Sequence, residues 1–452
     1  MMATKKTIRN KTANPAVKKA EPKKSRGKKK PQLLRGMKDI LPQEQPFWEY
    51  VKESSAQASR AYGYERIDIP VMEDLGLFVR TIGEATDVVE KELYEFETKG
   101  GDRVALRPEF TAGIMRAYIE HGMLNLPQPV KLWTMGPLFR YDRPQAGRYR
   151  QFHQVNWEIT GSEQPAIDAE LISLGSHLLA DMGLNVTAHV NSIGCRECRP
   201  EYITVLKDYF KSHRKNLCED CKGRLTKNPL RLLDCKEEAC HAIGEEAPQT
   251  VDHLCEPCRE HFMKVLEYLD EGDIIYRLQP RLVRGLDYYS RTTFEFYLKT
   301  EEEEANQSAL IGGGRYDYLV EDLGGPPATP SIGMAMGIER VILAIKDSNI
   351  EVSPAPTPDV YLAQIGETAR KKALSLFEEL RKAGIAVASN ISKNRLSDQL
   401  SLANKANARF TLILGQKEMS DDTIIVRDME SGSQETTDQS KLIALLTKQL
   451  NK

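Results

Sequence analysis

Residues 131–160, KLWTMGPLFRYDRPQAGRYRQFHQVNWEIT, decide how the rest of the chain is read. Alternation of apolar and polar residues holds on both sides of a turn around Gln145 to Gly147, the pattern of a long antiparallel hairpin. Successive side chains of a strand point to opposite faces. In the second strand Val155, Trp157 and Ile159 therefore share one face, while Arg150, Gln154, Asn156 and Glu158 share the other. In the first strand Trp133, Met135 and Phe139 lie together and Arg140 takes the opposite side. The expectation is a core on one side of the hairpin and a polar floor on the other. Between 139 and 154 every basic side chain other than His153 is arginine: Arg140, Arg143, Arg148 and Arg150. Its planar fork grips carboxylate or phosphate oxygens in pairs and keeps its proton, where lysine offers a point charge. The bland alternative is a solvated basic strand face.

Upstream, Phe47, Tyr50, Val51 and Ala58 are spaced as one face of a helix. YERIDIPVMED then places Ile67 and Ile69 on alternate positions before Pro70, as in a strand at an edge or end. A Gly-rich, charged loop (81–106) leads to LRPEFTAGIMRAYIEHG, which opens a second helix. Downstream come a helix over PAIDAELISLGSHLLADMG, a strand over NVTAHVNSI, and a cysteine-rich stretch. The chain returns with VRGLDYYSRTTFEF, an acidic loop (301–304), a strand-like SALIGGGRYDYL and GMAMGIERVIL, read as a buried helix in which Gly333 and Gly337 permit close packing. Pro-rich SPAPTPD (353–359) marks a boundary, after which strand and helix alternate in a separate small α/β domain.

The length of 452 residues calls for several cores. With 63 basic and 65 acidic side chains the net charge is −2, but residues 1–30 alone carry twelve Lys/Arg against one acid, Glu21. The remainder is thus at about −13, the total of −2 less the arm's +11. That arm has too little apolar content to offset its ordering entropy and is expected to be disordered. A solubilising tail, a nucleic-acid contact and a targeting peptide all remain open for it. No run of some 18 apolar residues suggests a membrane span. All eight cysteines fall between Cys195 and Cys258, as CREC, CEDC, CKEEAC and CEPC. Paired C-x2-C units confined to one module point to metal ligation in a reducing compartment. Free buried thiols and redox use are the alternatives. Two tetrahedral zinc sites are arithmetically available, for example Cys195, Cys198, Cys218 and Cys221, then Cys235, Cys240, Cys255 and Cys258. His241 or His253 could replace a ligand. Zinc would contribute on the order of 10 kcal/mol to folding so short a module.

Four polar clusters interrupt otherwise apolar elements. Glu109 and Thr111 stand at a helix start, where an acid is favoured by the dipole in any case. The arginine hairpin is the second. Arg284 and Asp287 beside Tyr288 and Tyr289 could be an ion pair capped by core tyrosines, and Arg340 on its helix could simply snorkel. Gly312 to Gly314 have neither Walker nor Rossmann spacing; they suit a turn or a flat ligand lying on backbone. His153, without a metal-spaced neighbour, is read as a strand residue facing the core.

These segments together resemble the histidyl-tRNA synthetase family of class II aminoacyl-tRNA synthetases over residues 31–452. YERIDIPVMED is similar to the first class motif, used in dimerisation, FRYDRPQAGRYRQFHQ to the second and GMAMGIERVIL to the third. VRGLDYYSRTTFEF and ALIGGGRYDYL resemble the two histidine-specific segments. The resemblance implies an α+β fold: a class II antiparallel sheet flanked by helices, a Cys-rich insertion and a C-terminal α/β anticodon-binding domain. The implied division is a basic arm (1–31), catalytic parts (32–194 and 273–347), insertion (195–272), linker (348–357) and anticodon domain (358–452). It implies formation of histidyl-adenylate from histidine and ATP, then transfer to the terminal ribose of tRNA(His), in a cytoplasmic homodimer. By analogy Arg140 bridges carboxylate and α-phosphate, Arg284 acts on the α-phosphate, Arg340 on the γ-phosphate, and Arg148 lies near ATP. Arg143 would meet ATP or the tRNA end. Glu109, Thr111 and Gln154 would hold the amino acid's backbone groups and Glu158 and Tyr289 the imidazole, with Tyr288 and Tyr316 lining the pocket. Mg2+ on the β- and γ-phosphates would complete the charge balance. Two other classes compete: a synthetase-like regulatory subunit that binds histidine without making adenylate, and a nucleic-acid module built on the arm and cysteines.

Overall fold

The computed structural model describes residues 30–83, 86–145, 147–299, 309–327, 329–353 and 357–450. The arm up to residue 29, the acidic 301–304 segment and the centre of the SPAPTPD linker lie outside the described residues. The chain divides into two compact units, one of 1–39, 58–180 and 184–343, the other of 40–57, 181–183 and 344–452.

The first unit is built on one large sheet. Its strands are β1 (Glu65–Arg66), β5 (Val130–Phe139), β6 (Gln151–Thr160), β7 (Val186–Ser192), β8 (Tyr276–Leu278), β9 (Ser290–Leu298), β10 (Ile311–Arg315) and β11 (Ser331–Gly337). Their spatial order is β1-β5-β6-β11-β10-β9-β7-β8. The outer pairs β1–β5 and β7–β8 are parallel and the rest antiparallel. The β5–β6 hairpin pairs Val130 with Thr160 and Phe139 with Gln151. Its turn closes through mutual Gln145 and Arg148 backbone bonds, with Gly147 at φ +69, a conformation that costs an L side chain.

The hairpin's faces differ from expectation in one respect: the polar floor is itself covered. Asn156 is 3% exposed and Glu158 1%. The helix Thr111–Glu120 supplies Ile114 and Met115 to the same core as Leu132 and Leu138, so apolar side chains of the first strand seal the floor from that side. On the opposite face Trp157 is buried and donates to Ser59 Oγ at 2.8 Å.

Three expectations are corrected. The GMAMG of 333–337 is strand, not helix: β11 pairs with β6 and β10, and a helix begins only at Ile338. Its glycine at 333 meets a neighbouring strand's side chain rather than a packed helix. The charged loop at 81–106 contains a β-hairpin, β3 (Tyr94–Glu97) with β4 (Arg103–Leu106), which joins β2 (Met72–Asp74) in a small sheet. His153 does not simply face the core. Its Nδ1 lies 2.8 Å from Glu339, 186 positions away, a partner invisible to local spacing.

Beneath the large sheet, Arg315 and Asp168 form an ion pair at 2.7 Å with neither side chain exposed. His261 adds a 3.2 Å contact to Asp168. Burial raises the Asp168 pKa, but Arg315 and His261 outweigh it and hold the carboxyl at about 2.

The second unit carries a five-stranded sheet in the order β13-β12-β14-β15-β16: β12 (Val360–Gln364), β13 (Val387–Ser389), β14 (Phe410–Leu414), β15 (Thr423–Asp428) and β16 (Gln434–Asp438). All residues of β12 and β14 are buried, as befits parallel strands with both faces covered. Helices Glu367–Lys382 and Leu442–Leu450 supply one apolar layer, and Ala403 in Leu396–Lys405 belongs to the other.

Candidate active site

A cavity of about 610 Å³ opens on the polar face of the large sheet, within the usual range for a ligand site. The register explains its floor. Gln154 on β6 lies between Gly136 on β5 and Gly337 on β11, and the space that side chains there would take is given to Arg107 and Arg340. Glu158 lies opposite Gly333, where a Cβ would run into the Glu158 carboxylate. Gly312, between Glu295 and Ala335, leaves the space that the Arg284 guanidinium fills. The glycine run is therefore neither turn nor phosphate loop; it lets long polar side chains lie flat on the sheet.

At the deep end Glu158 accepts from Thr111 Oγ1 at 2.6 Å and from the Asn156 amide and the Tyr316 hydroxyl. Burial pushes its carboxyl up to about 8, although all three donors pull it down. Tyr288 packs against Tyr289 at 4.7 Å and edge-on against Tyr316 at 5.6 Å. Glu109 is 5% exposed; its carboxylate accepts from the Thr111 and Ala112 amides at 2.6 and 3.0 Å. The helix-start role expected of any acid there is real, and the same residue lines the cavity. Burial raises its pKa against those two amides and Arg140.

The arginines divide into those that face the cavity and those that do not. Arg140, Arg148, Arg284 and Arg340 line it. Arg140 Nε donates to Pro108 O at 2.9 Å and Arg340 to Ala309 O at 2.8 Å. Among the described residues neither has a carboxylate in ion-pair range. Burial lowers the Arg340 pKa and the nearby Arg148, Arg140 and Arg284 charges lower it further, so the cavity crowds cations together. Arg284 is paired with Glu295, and its Nε is buried without a partner among the described residues. Burial lowers the Arg284 pKa, but Glu295 outweighs it and the net direction is up.

Asp287, expected beside Arg284, instead accepts from Asn228 at 2.7 Å. Arg148 meets Asp142 at 3.2 Å in a half-exposed pair of little energetic weight. Arg143 is exposed and outside the cavity lining. Arg150, on the polar parity, points away from the site: it stacks at 3.5 Å on Tyr141 and donates to Asp142 O, bracing the arginine loop.

Glu295 was missed by sequence reading although a signal was present: an acid of opposite parity between Phe294 and Phe296, both fully buried. Also missed were the cavity residues supplied by the cysteine module, among them Arg224, Arg231 and Lys236. No local signal could have placed them there.

The eight thiols gather in two groups of four, but not in the order expected. Cys195 and Cys198 meet Cys255 and Cys258, while Cys218 and Cys221 meet Cys235 and Cys240. The sets are nested, since the helices Arg199–Ser212 and Glu256–Glu271 start from the outer pairs and enclose the inner ones. The histidines offered as substitutes lie elsewhere, His241 against Arg281 and His253 against the Tyr202 ring.

Comparison with known proteins agrees with this geometry. The sequence profile described as Histidyl-tRNA synthetase matches residues 36–194 and 225–341, and that of an Anticodon binding domain matches 359–449. A Histidine--tRNA ligase of Dehalococcoides mccartyi is 48% identical over 93% of this chain and 100% of its own length. One from Desulforamulus reducens is 46% identical over 91% of this chain and 98% of its own. The crystal structure of apo S. aureus histidyl-tRNA synthetase aligns with a TM-score of 0.77 at 34% identity, covering 92% of this chain and 100% of that one.

Proposed function

The chain belongs to the histidyl-tRNA synthetase family and is a ligase that joins histidine to tRNA, and from that premise we propose how its residues divide the work. The carrying observation is the convergence of Arg140, Arg284 and Arg340 on one cavity whose deep end is closed by Glu158, Thr111 and Tyr316. Among the described residues two of those guanidinium groups hydrogen-bond only to carbonyls, and the third holds a buried N–H without a partner. Such a cluster is set for an anion.

In the first step a carboxylate oxygen of histidine attacks the α-phosphorus of ATP, the bond to the bridging oxygen breaks, and pyrophosphate leaves with the electron pair. Two anions must meet, and charge grows at phosphorus. Arg140 bridges the carboxylate and the α-phosphate, Arg284 stabilises the α-phosphate from the other side, Arg340 holds the γ-phosphate, and Arg148 closes the nucleotide from the loop. Fixed guanidinium groups do this without reorganising as the charge develops. Mg2+ would arrive with ATP and would neutralise part of the phosphate charge, and Glu295, which lines the cavity, would be the residue to hold it in exchange for its contacts with Arg284 and Tyr297. In the second step the ribose hydroxyl of the tRNA end attacks the mixed anhydride and AMP departs.

Glu109, Thr111 and Gln154 hold the α-amino and carboxylate groups. Glu158 and Tyr289 bond the imidazole, and Tyr288 and Tyr316 shape its slot. A site that hydrogen-bonds both ring nitrogens rejects other side chains by roughly 10^4. Burial holds the Glu158 carboxyl at about 8, so the ligand-free site keeps a proton there near neutral pH.

The domain division is taken as catalytic parts 32–194 and 273–347, insertion 195–272, linker 348–357 and anticodon-binding domain 358–452. Among the described residues no helix is long and apolar enough to cross a membrane; a cytoplasmic site of action is proposed from the family alone. A homodimer through the first motif is supported by exposed Val71 and Met72 beside Pro70. Exchange of pyrophosphate into ATP, with each of the twenty amino acids offered separately, tests the reading. Exchange with histidine alone supports it; binding of histidine with no exchange would turn the assignment to the regulatory class.

A further inference from the structure

The cysteine module is more than an appendage of the site described above. Within the outer group Cys195 Sγ lies 3.7 Å from Cys198 Sγ and 3.8 Å from Cys255 Sγ, and Cys198 lies 3.9 Å from Cys258. In the inner group Cys218 lies 3.9 Å from Cys235, and in each group all four sulfurs fall within 4.8 Å of one another. Disulfide sulfurs sit at about 2.05 Å. A tetrahedron with Zn–S bonds of about 2.3 Å has edges of about 3.8 Å. Backbone amides point at the sulfurs in both groups, Cys195 N to Cys198 at 3.3 Å and Cys218 N to Cys240 at 3.2 Å among them. Such bonds orient and stabilise thiolate ligands. Four thiolates without histidine or carboxylate select a soft tetrahedral ion.

The two groups are embedded differently. The outer cysteines form a small cluster of their own with Leu254. Cys221, Cys235 and Cys240 belong to the apolar core that also contains Val283, Tyr288, Tyr289 and Tyr316. Cys218 and Cys235 themselves line the active-site cavity.

From the inner group the chain grips the site on two sides. The helix Glu219–Lys227, which starts at Cys218, sends Arg224 to Asp87 at 3.2 Å and Lys227 to Glu90 at 2.7 Å. Glu92 of that same turn accepts the Tyr141 amide of the arginine loop at 2.7 Å. On the other side Asn228 holds Asp287, and Arg231 lies where a side chain on Gly285, next to Arg284, would point. The segment between Cys218 and Cys240 contains only short helices, marginal in isolation; Leu225, Leu232 and Leu233 pack it into the apolar core, and the four cysteines tie its two ends together.

We infer that the eight cysteines bind two Zn2+ ions, and that the inner ion, on Cys218, Cys221, Cys235 and Cys240, fixes one wall of the active-site cavity so that substrate use depends on its presence. The wall assignment rests on the adenylation site proposed above; the metal assignment does not.

Elemental analysis of the purified full-length protein should find two zinc atoms per chain. Fewer than two metal atoms, or iron in place of zinc, overturns the metal assignment. Cys240→Ser should lose one zinc and at least ~10-fold of histidine-dependent pyrophosphate exchange, whereas Cys258→Ser should lose one zinc with a smaller loss of exchange. Loss of one zinc from Cys240→Ser with wild-type exchange overturns the role in the wall. If that variant fails to fold, stripping zinc from the wild-type protein with a chelator, followed by circular dichroism, replaces it. Exchange should fall on stripping and return when Zn2+ is restored; unchanged exchange in the stripped protein overturns the role. Failure of the adenylation reading is distinguishable, because zinc-replete wild-type protein would then show no exchange with any amino acid.

Discussion

The two large sheets of this protein are both covered on both faces, yet they treat buried polarity in opposite ways. In the C-terminal sheet the amides of Gln364 and Gln399 close on each other's chain, although Gln364 Oε1 and the Tyr361 hydroxyl are buried without a partner among the described residues. Gln364 N donates to Gln399 at 3.0 Å and Gln399 Nε2 returns a bond to Gln364 O at 2.8 Å, in an interior mainly of Val, Leu, Ile and Ala with Phe410 and Tyr361. On the polar face of the antiparallel sheet Glu158 and Glu109 are buried, and Arg140, Arg284 and Arg340 are half-buried with N–H groups left over. Stability explains the first arrangement. The second stores cations beside one another and raises a carboxyl to about 8, arrangements a protein tolerates where a ligand will answer them.

The comparison can be broken most severely at the charge pair under the antiparallel sheet. Asp168→Ala would leave the buried Arg315 with Asp317 as its one carboxylate partner among the described residues, and should cost about 3 kcal/mol in a urea titration. A loss below 1 kcal/mol would mean that the pair is dispensable. Because the Asp168 pKa is lowered, the wild-type contribution is present at neutral pH and is lost as pH falls from 3.8 through about 2.

Next in size is Arg284→Lys, which keeps the charge and removes the fork. Turnover in adenylation should fall by roughly 10^2 or more. Near-normal turnover would show that charge alone suffices.

Glu158 offers a test by pH. Its folded pKa lies above the ordinary 4.5, so the folded chain keeps a proton that the unfolded chain releases. Stability of the ligand-free protein should therefore decline as pH rises from about 4.5 to about 8 and then level off. Melting temperatures of wild type and Glu158→Gln, whose amide stands in for the neutral carboxyl, should lie together at the acid end of that window and separate toward the alkaline end as wild type alone declines; parallel curves would sink the assignment.

The smallest effect should come from the other sheet. Gln399→Leu removes the amide that serves Gln364 and should destabilise the C-terminal unit by about 1–3 kcal/mol while leaving pyrophosphate exchange unchanged. A fall in exchange would mean that the two kinds of buried polarity are not as separate as they look.

The sequence was informative wherever the governing physics is local. Strand parity put Gln154, Asn156 and Glu158 on one face, and the hairpin turn fell where Gly147 allows it. Five segments in order carried the family and the class of chemistry, and the strand–helix alternation after the Pro-rich linker carried the second domain. Local pattern misled at GMAMG, because small residues that let helices approach also let a strand pass beneath a neighbouring carboxylate. It was silent on Glu295 as the partner of Arg284, Glu339 as the partner of His153 and Asp168 as that of Arg315.

What the sequence determined alone was thus the identity of the chemical groups and their placement along each element, since side-chain direction repeats with the backbone period. What the tertiary structure decided was which groups meet and in what state of charge. The nested pairing of the cysteines, the entry of Arg224 and Arg231 into the cavity wall and the raised Glu158 carboxyl all depend on which surfaces exclude water together. Desolvation and contact between residues as distant as His153 and Glu339, 186 positions apart, are properties of the packed molecule, and no window of sequence contains them.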